Sequence, residues 1–323
     1  MRALLLALIL VLLSGADVLG QDSSLAELER RLQSGDRRQR GYAISGLSQV
    51  AATGSNADRA VRLIGSALGD PDPRVRRAAL RGLVDLGPKA APAIAGLIDF
   101  LDTERLEGDL ASAVVTVGRI GADASAAADP VLRIALNASR EPSTRLLAIE
   151  TLAKLERTET VDRGLLELSR NAQEDRDLRW RALTAYALGR GADPRQVLPA
   201  LVTALHDADE RVRLAAVIAL KESSLTSPPA APALANALSD PDRYVRNHAS
   251  LASEQIGEPA LPFLVEPVVH TSERESKLAA EALEKIGQDL EQKGKVCWWV
   301  IPRVFRSHLI YLALALLAWV TAA

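Results

Sequence analysis

Apolar residues along most of the chain fall in helical-period stretches of ten to fifteen positions, separated by short breaks of Gly, Pro and Asp. Between about Ser23 and Gln292 nothing alternates with a period of two, so the pattern predicts an all-α protein without strands. The fullest unit reads Asp72-Pro-Arg-Val-Arg-Arg-Ala-Ala-Leu-Arg-Gly-Leu-Val-Asp-Leu-Gly87. Taking Arg76 as anchor, an acid stands four residues before it, Ala three after and an apolar residue seven after. Six copies answer fully or nearly so: Asp36/Arg40/Ala43/Leu47, Asp72/Arg76/Ala79/Leu83, Glu141/Arg145/Ala148/Leu152, Asp175/Arg179/Ala182/Tyr186, Asp209/Arg213/Ala216/Leu220 and Asp242/Arg246/Ala249/Ser253. The anchors from Arg145 onward lie 34, 34 and 33 residues apart, Arg40 and Arg76 are 36 apart, and the 69 residues from Arg76 to Arg145 hold a weaker copy, Ala113/Val117/Gly121. An eighth, also weak, is Ala279/Leu283/Gly287. Such a period predicts an α-solenoid of about eight two-helix repeats over residues 24–290, not a single globular core.

Each repeat divides into two helices. The first, such as Pro92-Ala-Ile-Ala-Gly-Leu-Ile-Asp-Phe-Leu101, is expected to open at a proline: Pro92, Pro130, Pro199, Pro232 or Pro262. The joint to the second helix reads Leu68-Gly-Asp-Pro-Asp72, Leu205-His-Asp-Ala-Asp209 or Leu238-Ser-Asp-Pro-Asp242, with the first Asp of each placed to cap that helix. Val75, Ala79, Leu80, Leu83 and Leu86 share a face of the second helix. A composition of 48% hydrophobic but only 3% aromatic residues implies thin Ala/Leu/Val layers, one per repeat. Because Asp36, Asp72, Glu141, Asp175, Asp209 and Asp242 recur with Arg40, Arg76, Arg145, Arg179, Arg213 and Arg246, each Arg is expected to reach its own or a neighbouring repeat's carboxylate as a structural ladder; the competing reading is a basic row that binds an anion.

This pattern resembles the HEAT repeats of the phycobilisome-lyase-like type, in which Asp-Pro-x-Val-Arg-x-x-Ala-x-x-Ala-Leu opens the second helix. Asp70-Pro-Asp-Pro-Arg-Val-Arg-Arg-Ala-Ala-Leu-Arg-Gly-Leu and Asp207-Ala-Asp-Glu-Arg-Val-Arg-Leu-Ala-Ala-Val-Ile-Ala-Leu match best. The resemblance implies a fold, and a scaffold that holds a partner in a groove; it implies no activity.

The two ends differ from the array. Arg2, the apolar run Ala3 to Leu13 and Ser14-Gly-Ala-Asp-Val-Leu-Gly20 read as a secretory signal over residues 1–20; eleven helical residues reach only about 16 Å, too short to span a bilayer. A buried first helix is the other reading. After a polar hinge, residues 291–323 carry Trp298, Trp299, Pro302 and the uncharged stretch Leu309 to Ala323, which reads as a membrane anchor with flanking Arg303 and Arg306, or alternatively as a capping helix. Together these place the array on the extracytoplasmic, periplasmic side, tethered to the membrane. The basic residues before the apolar stretch run against the positive-inside tendency, and a chain stopping within an apolar helix also reads as a piece of a longer membrane sensor.

A formal net charge of −2 gives no reason to expect nucleic acid as the partner, and the single Cys297 excludes an internal disulfide. No metal-binding His-Glu series, phosphate loop or Gly-x-Ser-x-Gly elbow is present, so no catalytic residue, metal or cofactor is expected. His206 occupies a joint position filled by Gly69 and Ser239 elsewhere, where a helix C-terminal role is the expectation. One row stands out. The residue after each anchor is large and apolar in the central repeats, Leu146, Trp180 and Leu214, with Ile218 one turn on. Either this row packs between helices or it forms an apolar partner-binding stripe with Trp180 as its aromatic anchor. The expected function is therefore a non-catalytic scaffold in the cell envelope that binds another protein. A lyase-like or chaperone-like factor holding a chromophore or modified peptide is the alternative from another class.

Overall fold

The computed structural model describes residues 24–53, 56–104, 106–190, 192–222, 228–264 and 273–293. The expected signal and the segment from residue 294 onward lie outside the described residues. Among the described residues every regular element is a helix: α1 (24–32), α2 (Arg37–Thr53), α3 (Ala57–Ser66), α4 (Pro73–Leu86), α5 (Ile94–Thr103), α6 (Glu107–Ile120), α7 (Ala128–Leu136), α8 (Pro142–Leu152) and α9 (Glu159–Arg170). They continue as α10 (Arg176–Leu188), α11 (Pro194–Ala204), α12 (Glu210–Glu222), α13 (Ala231–Ala237), α14 (Arg243–Ile256), α15 (261–264) and α16 (Glu273–Gln292). The even-numbered helices from α2 to α14 carry the repeat pattern and are the second helices of the repeats.

Two compact units divide the chain within α9: unit 1 runs to Leu165 and includes Gly189–Gly191, and unit 2 takes Leu166–Leu188 and the chain from Ala192. In unit 1 the second helices α2, α4, α6 and α8 pack in succession, as do the first helices α3, α5 and α7. In unit 2, α10, α12, α14 and α16 pack in succession, and α11 and α13 lie against α12 and α14. The layers are thin, as the scarcity of aromatics requires. Val75, Ala79, Leu80 and Leu83 are buried on α4 while Leu86 is only half-buried, and Val212, Ala216, Val217 and Leu220 fill the same places on α12.

Local chemistry sets the helix ends. Gly87 and Gly257 take φ of 56° and 73° at the ends of α4 and α14, a conformation that costs glycine little, and their N–H groups donate to the carbonyls of Leu83 and Ser253. From Gly87 the chain runs through a 3₁₀ turn, Gly87–Ala93, into α5. Pro92 therefore sits in that turn, not in the first α-helical residue. Pro199 lies a turn inside α11, which opens instead at Pro194 behind an Asp193 carboxylate that accepts the Arg195 N–H. The last described helix, α16, buries Ala279, Ala282, Ile286 and Leu290 and exposes Glu281, Glu284, Lys285 and Gln288. A one-sided helix of this kind gives a repeat stack a polar outer surface.

Candidate functional site

The joints show how the second helices are held and which residues are left for other work. In each well-marked joint the two acids divide the labour. The second is the helix cap: Asp72 accepts from Arg74 N–H, Asp209 from Arg211, and Asp242 from Tyr244 and Val245; Asp36 and Asp175, which have no acid two residues before them, cap likewise by accepting from Arg38 and Asp177. Hydrogen bonding from the Arg74 amide, against opposing desolvation, holds the Asp72 carboxyl below its ordinary value. The first acid folds back onto the amide two residues on and faces the preceding repeat. Thus Asp70 accepts from Asp72 N–H at 2.8 Å and takes the Arg40 guanidinium through two bonds of 2.6 and 2.9 Å. Asp240 does the same with Asp242 N–H and with Arg213 at 2.7 and 3.0 Å. Arg179 reaches Asp207 at 2.5 Å and Arg76 reaches Glu104 at 3.3 Å.

Arg40, Arg76, Arg179 and Arg213 thus bridge successive repeats through a carboxylate about 30 residues downstream, while Asp36, Asp72, Asp175 and Asp209, four residues before them, hold helix starts. This assignment differs from the expected one, in which the first Asp of each joint caps. The physical reason is reach: an Asp immediately before the first turn already has helical amides in front of it, whereas one two residues earlier points across the joint. The free end of each guanidinium satisfies the carbonyls of its own joint, Asp70 and Pro71 for Arg76, Asp207 and Ala208 for Arg213, and Asp240 and Pro241 for Arg246. Arg145 and Arg179 instead donate Nε to Ala135 and Ser169 carbonyls at the end of the preceding helix. Glu141 opens α8 without a side-chain cap. All these roles are internal, and the anchors are largely withdrawn from solvent.

What remains outward is a stripe along each second helix. In unit 2 it runs through Asp177, Trp180 and Thr184 on α10, Arg211, Leu214 and Ile218 on α12, and Tyr244, Asn247 and Leu251 on α14. Trp180, Leu214 and Ile218 are half-buried; Tyr244 is 54% and Leu251 41% exposed. Trp180 Nε1 donates to Asp177 Oδ1 at 3.3 Å, and the Arg181 guanidinium sits 4.7 Å from the ring centre. The same Asp177 carboxylate is paired with Arg211 on the neighbouring helix. Burial pulls the Asp177 carboxyl up, but the Trp180 and Arg211 bonds outweigh it and leave it below its usual value. The indole is thereby fixed in place beside α12, with Leu214 one turn beyond Arg211. Leu146 belongs to unit 1, where it is half-buried on α8.

The HEAT-repeat sequence profile matches residues 25–117, 163–252 and 199–284. The chain belongs to the HEAT-repeat family. Among solved structures this HEAT array is similar to Kap121p, at 18% identity and a TM-score of 0.51, over 83% of this chain and 34% of that one. It is equally similar to the karyopherin Kap121p bound to the extreme C-terminus of the protein phosphatase Cdc14p, at 18% identity and a TM-score of 0.51 over 84% and 35% of the two chains. Kap121p bound to the SUMO protease Ulp1p gives 18% identity and a TM-score of 0.51 over 84% and 34%. At this identity the likeness is one of fold, and the chain spans about a third of the length of these proteins. No curated protein sequence matches it.

Sequence reasoning stopped one helix short on the unit 2 face of the HEAT array. Leu251 occupies the same repeat position as Ile218, so extending that row would have found it; Tyr244 stands two residues before its anchor, and only its 54% exposure marks it. His248, also on α14, has a buried Nδ1 without a hydrogen-bond partner among the described residues. Desolvation, helped by Lys221 and opposed by Glu222, holds it below the ordinary imidazole value. A base with a depressed folded value stabilises the fold above its unfolded pKa, and that contribution is lost as pH falls through the folded value. The urea midpoint of the protein is therefore expected to drop between about pH 7 and pH 5, and to drop less in His248→Gln. An equal drop in both would remove His248 as a cause. Among the described residues no group of three or more His, Cys, Asp or Glu side chains is placed to hold a metal ion, and no helix is long and apolar enough to cross a membrane.

Proposed function

We propose that this HEAT array is a non-catalytic scaffold that holds another protein on the outward face of α10, α12 and α14. The observation that carries the reading is the continuity of apolar side chains there: Trp180, Leu214 and Ile218 lead to Leu251 and Tyr244, the last two 41% and 54% exposed. An indole locked by Asp177 and Arg181 loses little rotamer freedom on binding, which suits it to be the anchor of an interface. Support also comes from the fold neighbours, which include Kap121p bound to a segment of Cdc14p and to Ulp1p. Leu146, in the same repeat row, belongs to unit 1 and is a separate candidate contact on α8.

The scaffold is placed on the extracytoplasmic side of a membrane, tethered through residues 309–323; the apolar runs at 3–13 and 309–323 support this placement. Crosslinking in intact cells followed by affinity capture of the full chain tests the binding reading. One protein recovered in stoichiometric amount from the wild type, and reduced at least about tenfold by Trp180→Ala with helical content unchanged, is the expected result. Unfolding of Trp180→Ala would assign the indole to the core. Unchanged capture would move the interface elsewhere.

A further inference from the structure

Unit 1 carries an outward face of different chemistry, independent of the apolar one. On α2 the exposed stripe begins Arg38, Tyr42, with Tyr42 67% exposed; on α4 it runs Arg74, Arg77, Arg81. The two helices are in side-by-side register: Arg37 lies 3.7 Å from Asp72, and a Cβ on Gly82 would meet Ser48 Oγ at 2.6 Å. That register sets Arg38 beside Arg74 and Tyr42 beside Arg77. Arg77 is paired with Asp109, whose two carboxylate oxygens share its Nε–H at 2.8 and 3.0 Å. Arg38, Arg74 and Arg81 have no carboxylate within ion-pair distance among the described residues, and all three are exposed. Three exposed guanidinium groups without a carboxylate partner thus lie around one exposed tyrosine. Next to them α6 shows Gly108 and Ala111, side chains too small to keep a bound backbone away.

We propose that this face of α2 and α4 is a docking surface for an extended acidic peptide segment of a partner protein. The spacing fits. Arg74 and Arg81 are seven residues apart, about 10 Å along α4, and neighbouring helix axes lie about 8–10 Å apart. A peptide in the extended polyproline II conformation, with three residues per turn and a rise of about 3.1 Å per residue, brings carboxylates at every third position onto one side at a similar separation of about 9 Å. Tyr42, between the charges, receives an intervening apolar side chain. Exposed Asp36 before α2 and Asp85 in the last turn of α4 bound the patch with negative charge. A short acidic segment fits between them, whereas a polyphosphate or an anionic membrane would meet them and be repelled.

The probe is a fluorescein-labelled peptide of about a dozen residues with Glu at every third position and Leu between, read by anisotropy on the full chain. Single-stranded RNA and phosphatidylserine vesicles serve as competitors. The peptide is expected to bind, to weaken with salt, and to lose at least about tenfold in affinity in the Arg38→Glu/Arg74→Glu/Arg81→Glu variant. Because these side chains hold no ion pair, the urea midpoint of the variant should equal that of the wild type. Tyr42→Ala should lose binding without altering the salt slope. Absence of peptide binding, equal binding by the triple variant, or tighter binding of RNA or vesicles would each overturn the proposal. None of these results depends on Trp180, so the unit 2 reading stands or falls separately.

Discussion

Gly96→Ala is expected to destabilise the protein by about 2 kcal/mol, although alanine is the better helix former by about 1 kcal/mol. Gly96 is on α5, and a Cβ built there would lie 2.4 Å from the Gly65 carbonyl oxygen and 2.8 Å from its carbon, both backbone atoms of α3. A flexible side chain can swing aside, but a helix backbone cannot, so the two first helices must separate and open the layer between them. Gly65 makes the approach possible from the other side, since its own Cβ would meet the Ala93 Cβ at 2.9 Å. The control is Gly41→Ala, on α2, where nothing lies within 4 Å of the new methyl. There the same change should stabilise by about 0.5–1 kcal/mol. Urea unfolding of the full chain, followed by circular dichroism, distinguishes the two; shifts of the same sign would sink the claim that α3 and α5 are in backbone contact.

Asp240→Ala should cost about 3 kcal/mol, against about 1 kcal/mol for Asp242→Ala two residues later. Sequence gives no reason to separate them, since each is the Asp of an Asp-Pro-Asp joint. Asp242 caps α14, a loss that water partly repairs. Asp240 is only 8% exposed and ties together three things: the Asp242 amide and both prongs of Arg213 from the preceding repeat. Removing it leaves the Arg213 guanidinium with only the carbonyls of its own joint, in a setting where it had been largely withdrawn from water. The strength of that pair also appears in Arg213 itself, whose value is raised chiefly by its bond to Asp240. A double-mutant cycle with Arg213→Ala should return a coupling of about 2 kcal/mol or more. Equal losses for Asp240→Ala and Asp242→Ala, with no coupling, would reduce the ladder to ordinary capping.

The periodic part of the protein was legible in the residues alone, because a repeated two-helix unit writes its core into a fixed grammar. Ala79, Leu83 and their counterparts at one spacing can only be a buried stripe, and Gly87 after such a stripe can only be a stop. The exposed stripe was partly legible for the same reason: Leu146, Trp180 and Leu214 break a row that is small or polar in the other repeats. Tyr244 escaped because exposure of a tyrosine carries no periodic mark, and unpaired arginines such as Arg38 and Arg74 look in sequence like paired ones such as Arg77.

By itself, then, the sequence determined the all-α class, the repeat length, the helix stops and the residues of the core, all properties of residues within one repeat. The tertiary structure alone decided which of two adjacent aspartates caps and which bridges, that Gly65 and Gly96 bring two helices into backbone contact, and which arginines face outward unpaired. Each of these depends on what the next repeat places opposite, about 30 residues along the chain, and a local pattern does not encode that register.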